Sequence, residues 1–206
     1  LEFLKPTQMD VIIELGCGTG RITEEIISRG FNKYMVIDFS GRSLQLLRNR
    51  LSAEMGNRIL LIKADVCYLP LRSRIADKLL SAQVYEHIPD SNEQYKFIKE
   101  IDRVLCDDGL AALTVYNYNL EKRLKRLWQK KGLHAGKIYY ENFTSRQLKR
   151  MFCDSFKIEK LKGINCYLPW ISRLNSKVQQ LLELVLSRSF FNKLLGNILF
   201  LGMRKR

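Results

Sequence analysis

Histidine is scarce in this chain, with two among 206 residues, His87 and His134. The five cysteines, Cys17, Cys67, Cys106, Cys153 and Cys166, are odd in number, widely spaced and include no C-x-x-C pair. Two distant histidines and unclustered thiols leave too few nitrogen and sulfur ligands for zinc, so no metal site is expected, and a reducing cytoplasm is the natural setting. Long apolar runs are missing too. The most apolar stretch, Leu181 to Leu201, is broken by Glu183, Arg188, Asn192, Lys193 and Asn197, whereas a bilayer span needs ~20 nearly uninterrupted apolar residues. A transmembrane helix is excluded on this reading, and no segment has the charged, apolar and small-residue order of a signal peptide.

Acid is in short supply: 21 Asp and Glu stand against 35 Lys and Arg, a net charge of +14. Such a balance favours anionic partners, whether RNA, phosphorylated metabolites or an acidic membrane surface, without choosing among them. A chain 46% hydrophobic and 27% charged is long enough for one sizeable core and short for two domains.

What is present is a rhythm. Val11 to Leu15 is a short β-rich apolar run, followed by helical spacing from about Arg21 to Arg29, the opening of a β-α-β unit. Tyr34 to Phe39, Ile59 to Ala64, Lys78 to Ala82 and Leu110 to Val115 repeat the pattern. Nearly continuous apolar strands of this kind are covered on both faces, which predicts a parallel sheet between helices. Ser43 to Glu54, with Leu44, Leu47 and Leu51 on one stripe, and Tyr95 to Leu105, with Phe97, Ile98, Ile101 and Val104, supply covering helices. Asp107-Asp-Gly109 is read as the stop of the second, with Gly109 at the φ > 0 position. Past Asn117, Leu120, Leu124, Leu127 and Trp128 form a stripe flanked by Lys122, Arg123, Lys125, Arg126, Lys130 and Lys131, which predicts a basic amphipathic helix. Further elements are a helix over Thr144 to Cys153, a strand over Phe156 to Lys162, a helix over Ser176 to Leu186 and a last strand over Ile198 to Met203.

The chemistry concentrates at Glu14-Leu-Gly16-Cys-Gly18-Thr-Gly20, between the first strand and first helix, where an open α/β sheet binds ligand beyond the carboxyl ends of its strands. Alternate glycines let backbone approach a ligand closely. A dinucleotide fingerprint needs glycine where Arg21 stands, and a phosphate-cradling loop needs Gly-Lys-Ser/Thr, which is absent. Asp38 ends the second strand, where an acceptor-only carboxylate can take both hydroxyls of a ribose, and Asp65 follows the third, where it can accept from an adenine amine.

These motifs, with Leu69-Pro70, Ala76-Asp77, Tyr85-Glu-His-Ile-Pro89 and Arg103-Val-Leu-Cys-Asp-Asp-Gly109, appear in the order that resembles the core of class I S-adenosylmethionine-dependent methyltransferases, type 11. That group is typified by quinone-biosynthesis and related small-molecule enzymes. The resemblance spans Val11 to Val115. It implies an α/β, Rossmann-like, doubly wound sheet, mostly parallel with an antiparallel C-terminal strand, in a single domain of residues 1–206. A donor-binding core would cover about 10–117, and an acceptor-covering, sheet-completing part about 118–206.

By the same resemblance Gly16, Cys17, Gly18 and Gly20 shape the loop facing the methionine portion. Asp38 and Phe39 take the ribose side, Asp65 and Val66 the adenine, and Ser81, Ala82 and on to Val84 the inner wall. Glu14 orders the loop or meets the ligand's amino group. Asp107-Asp-Gly109 departs from the family's Pro-Gly-Gly, and the helix usual before the first motif is nearly absent.

Methyl transfer from an activated sulfonium needs chiefly positioning, and a base only where the acceptor must lose a proton. His87 is the best candidate for a base, though bracing its loop is the favoured role. Tyr85, Tyr116 and Tyr118 are either acceptor-pocket rings or core-edge residues. His134, in the glycine-flanked segment Gly132 to Gly136, is either part of an acceptor loop or, as favoured, a surface histidine without function, and Asp77 is expected to fix a turn away from ligand. The acceptor is read as a small molecule or lipid-like compound. Alternatives are tRNA, since Pro70 to His87 also resembles wobble-uridine methyltransferases, and an inactive S-adenosylmethionine-binding partner subunit. The basic helix also allows peripheral membrane contact.

Overall fold

The computed structural model describes residues 1–51, 59–124, 130–135, 137–164 and 192–206. The elements are β1 (Ile12–Leu15), α1 (Arg21–Ser28), β2 (Tyr34–Asp38), α2 (Gly41–Arg50), β3 (Ile59–Lys63), β4 (Ala76–Ala82), a 3₁₀ turn (Tyr85–His87), α3 (Ser91–Val104) and β5 (Leu105–Tyr116). They continue with α4 (Leu120–Leu124), β6 (Lys131–His134), β7 (Ile138–Glu141), α5 (Ser145–Phe152), β8 (Phe156–Ile164), α6 (Asn192–Leu195) and β9 (Ile198–Lys205).

Seven strands form one sheet in the order β3-β2-β1-β4-β5-β9-β8, and β6 and β7 form a separate antiparallel pair. The first five strands of that order run parallel, while β9 runs antiparallel to both β5 and β8. The expected doubly wound sheet with one reversed C-terminal strand is therefore what the chain forms. Its topology reverses between β1 and β4, which opens a crevice at their carboxyl ends.

Alternate residues of the central strands feed two cores. Ile13, Leu15, Met35, Ile37, Leu79 and Leu113 face α3 and α5, whereas Ile12, Tyr34, Val36 and Leu80 face α1 and α2. Both faces being covered explains why these strands lack polar alternation. The helix starts are capped locally. Ser40 Oγ accepts from Ser43 N–H, and Asp90 accepts from the Asn92 and Glu93 N–H groups. Thr144 and Gln147 exchange the two bonds of a capping box.

Three expectations change. β5 starts at Leu105, directly after α3. The left-handed residue of its first turn is Asp108 (φ 62), not Gly109. Gly109 is there for space, because a Cβ would lie 2.8 Å from the Cys106 carbonyl oxygen. The basic helix is described only over Leu120–Leu124, and Lys131, expected on it, starts β6 opposite Glu141. Lys122, expected on a solvated face, turns inward and donates to the Asn117 carbonyl (2.9 Å) and to Asn142 Oδ1 (2.6 Å). Leu127, Trp128, Cys166 and the expected helix at Ser176 to Leu186 lie outside the described residues. Among the described residues no helix is long and apolar enough to cross a membrane.

Candidate functional site

Where β1, β2, β3 and β4 end, a cleft of about 620 Å³ opens, within the range of small-molecule sites. Gly16, Gly18, Asp38, Phe39, Asp65, Val66, Gln83, Val84 and His87 of the expected residues line it.

The glycine loop divides its labour. Gly16 (φ 72) needs the left-handed region and sits against β4's exit, since a Cβ there would be 2.2 Å from Val84 Cγ2. Gly18 (φ 54) has nothing within 4 Å of where its Cβ would be, so its bare backbone faces the open cleft. Gly20 turns away and packs on Leu47. Asp38 holds the loop in place: Oδ2 accepts the Gly18 N–H and Oδ1 the Ser40 N–H, both at 2.8 Å. A carboxylate has about four acceptor positions, so capacity for ligand hydroxyls remains. Asp65 Oδ1 accepts the Cys67 N–H at 2.8 Å, which fixes the turn after β3.

The other expected residues do not line the cleft. Glu14 is buried and accepts hydrogen bonds from the Thr23 hydroxyl (2.6 Å) and from Tyr34, pinning β1 to α1 and β2. Burial, offset by those bonds, raises its carboxyl above the ordinary value. Cys17 points into the second core with its thiol pushed up to about 12, by burial first and then by Asp38, so it is unreactive at neutral pH. Ser81 Oγ donates to the Leu15 carbonyl at 3.2 Å and stitches β4 to β1, and Ala82 pairs with Thr114. Tyr85 is the clearest correction. It is 1% exposed and ringed by Phe97, Phe143 and Phe152, with its hydroxyl on Met151 Sδ at 3.7 Å, so it belongs to the core and not to the chemistry. Asp77 accepts the Val11 N–H at 2.8 Å, far from the carboxyl ends.

Ser43, Cys67, Ile88, Pro89, Glu93 and Ile138 also line the cleft. Gln83 adopts φ 57 with its N–H on the Thr114 carbonyl, a conformation that a non-glycine residue holds at a cost of about 1–3 kcal/mol and that clusters at functional sites. Nothing in a glutamine's identity signals this. The Cys67 thiol, lifted to about 12 by burial and then by Asp65, donates to the Glu93 carbonyl.

The charged residues lining the cleft are Asp38, Asp65 and Glu93, with no lysine or arginine among the described ones. An acid-lined, bare-backbone cleft suits a ligand carrying a sulfonium, an amine and a ribose, so the residues present fit S-adenosylmethionine.

Comparison with known proteins agrees. Residues 13–113 match a family model described as a methyltransferase domain. An uncharacterised methyltransferase of Geobacillus sp. (strain WCH70) is 20% identical over 137 residues, 63% of this chain and 62% of that protein. A tRNA (carboxymethyluridine(34)-5-O)-methyltransferase of Arabidopsis thaliana is 28% identical over 106 residues, 52% of this chain and 24% of that protein. The chain thus spans less than two thirds of these relatives. Among solved structures, an S-adenosylmethionine-dependent methyltransferase of Methanosarcina mazei superposes with a TM-score of 0.71 at 19% identity, over 97% of this chain and 94% of that one. Over residues 13–113 the chain carries a methyltransferase domain, and its sheet has the fold of the class I S-adenosylmethionine-dependent methyltransferases.

Proposed function

We propose that this protein methylates a small-molecule or lipid-like acceptor by in-line displacement, with Gly18, Asp38, Asp65 and Val66 holding the donor and with positioning supplying most of the rate. Bound S-adenosylmethionine supplies an activated methyl group; the chain's own residues align it and exclude water. One observation carries the choice of acceptor. A chain of net charge +14 lines its cleft with Asp38, Asp65 and a Glu93 paired with Lys96, and with no described lysine or arginine, which disfavours a phosphate backbone at the point of transfer. Ile88, Pro89 and Ile138 give the same opening an apolar wall.

A tRNA acceptor is the second reading. It is favoured by a neighbouring groove of about 440 Å³ that Arg48 and Lys63 line at the sheet's outer edge, and by the Arabidopsis relative's printed activity. We read the chain as one domain, its donor-binding core at about 10–117. The free thiols of Cys17, Cys67, Cys106 and Cys153 support a cytoplasmic setting.

Labelled S-adenosylmethionine incubated with protein and cell extract, then partitioned into lipid, RNA and protein fractions, tests the reading. Label in the organic or small-molecule fraction is expected; label confined to RNA overturns it. A purified chain that gains no thermal stability from S-adenosylhomocysteine, which binding to the folded state must confer, supports none of these roles.

A further inference from the structure

Beyond the donor cleft the structure assembles four rings that the sequence scatters over four elements. His87, on the 3₁₀ turn, meets Tyr116 of β5 edge-on at 5.8 Å between ring centres. His134 of β6 lies edge-on to Tyr116 at 5.8 Å and stacks on Tyr140 of β7 at 4.2 Å, with planes 24° apart. Tyr140 lies across Gly132, where a Cβ would come within 3.3 Å of its ring. The β6–β7 hairpin carrying these rings is fixed to the sheet, because Phe143 N–H donates to the Tyr116 carbonyl and Tyr118 N–H to the Phe143 carbonyl. His134 is exposed and Tyr140 half-buried, on the same hairpin as Ile138, which lines the cleft together with His87.

The same hairpin decides which nitrogen of His87 is basic. Nδ1 lies 2.7 Å from the Tyr139 carbonyl oxygen. A carbonyl only accepts, so Nδ1 carries the hydrogen, and the neutral ring keeps its lone pair on Nε2. The titratable groups around the ring are Tyr116 from β5, His134 from β6, Tyr139 and Tyr140 from β7, Glu86 from its own turn and Glu93 across the cleft. Lys122 reaches the Tyr116 ring from α4. Glu86 is fully buried and lifted by that burial to about 8, so it is largely protonated at pH 7.

We propose that His87, Tyr116, His134 and Tyr140 form the acceptor subsite, that this subsite takes a flat conjugated ring bearing an ionisable O–H or N–H, and that His87 Nε2 receives that proton. The assignment rests on the methyltransferase reading above. Rings packed against one another at these spacings make an aromatic wall, which favours a flat conjugated partner over a puckered one of equal size. The acceptor's hydrogen passes to His87 Nε2 as its oxygen or nitrogen bonds the methyl carbon. The sulfur keeps the electron pair of the broken S–C bond, and the imidazolium later releases the proton to solvent.

The probes are 2-naphthol and its saturated counterpart decahydro-2-naphthol, each titrated into protein already saturated with S-adenosylhomocysteine. Histidine ¹⁵N resonances and the apparent affinity are read together. Expected are a His87 signature with hydrogen on Nδ1, movement of that signature by 2-naphthol, and affinity at least tenfold above the saturated compound. His134→Ala and Tyr140→Ala should each weaken 2-naphthol about tenfold while leaving S-adenosylhomocysteine affinity unchanged. His87→Asn should keep ring binding and lose the fall in 2-naphthol methylation on the acid side of the pH profile. Equal binding of the two probes, hydrogen on Nε2, or no effect of either ring variant overturns the subsite while the donor reading stands. Failure of S-adenosylhomocysteine itself to bind overturns the donor reading, and the subsite with it.

Discussion

The Gly18 amide hydrogen points at Asp38 Oδ2 across 2.8 Å, so one carboxylate at the end of β2 both shapes the glycine loop of β1 and faces the space a sugar would occupy. Asp38→Ala removes the acceptor of two backbone N–H groups at once. Donor-product affinity should fall roughly a hundredfold, the worth of lost charge-assisted hydrogen bonds of about 2–3 kcal/mol. Calorimetric titration with S-adenosylhomocysteine measures it, and unchanged affinity would remove Asp38 from the site.

Gly16 and Gly18 should fail differently. Both have positive φ, so alanine strains either by about 1 kcal/mol. Only at Gly16 does the new methyl also strike Val84. Gly16→Ala should therefore lower the melting temperature markedly and be partly rescued by Val84→Ala. Gly18→Ala should melt close to the parent yet bind donor poorly. Equal losses of stability at the two positions would contradict this division.

Glu86 makes stability depend on pH. Its carboxyl is fully buried, and that burial, only partly offset by the backbone N–H groups of Glu86 and Tyr116, lifts it from 4.5 to about 8. Between those values the folded chain keeps a proton that the unfolded chain has released, so rising pH favours unfolding. Stability should fall across that window by up to about 1.4 kcal/mol per pH unit and level off above it. Urea unfolding of Glu86→Gln at pH 5, 6, 7 and 8 should show a profile flatter than the parent's by that slope; parallel profiles would place the proton elsewhere.

Thr144→Ala takes the side-chain half from the capping box of α5 and should cost about 1 kcal/mol. Leu148 and Phe152 on that helix are buried against the first core, so the loss should appear in the global unfolding midpoint. A change confined to local hydrogen exchange at residues 145–148 would mean that α5 frays independently.

The donor half was legible because its signals are local. Strands covered on both faces read as continuous apolar runs, and Gly16-Cys-Gly18 announces a loop whatever surrounds it. The acceptor side was not. Lys131 to His134 and Ile138 to Glu141 are four-residue strands with no strong period of their own, and helical spacing from Leu120 onward overlaps the first. Lys122 reads as one more surface cation until Asn117 and Asn142 are seen to surround its ammonium group. Tyr85 and His87 sit two residues apart, yet one faces the core and the other the cleft. The turn after β4 decides that, and no side-chain pattern reports it.

The reversed strand β9 lies between β5 and β8 although it follows both in the chain. While the polypeptide is still being synthesised, β5 therefore presents an open edge and β8 has no neighbour to join. The parallel half of the sheet can assemble first, but β8 enters it only after Ile198 to Lys205 have emerged and slotted into the gap, so the layer closes on a strand made after both of its neighbours.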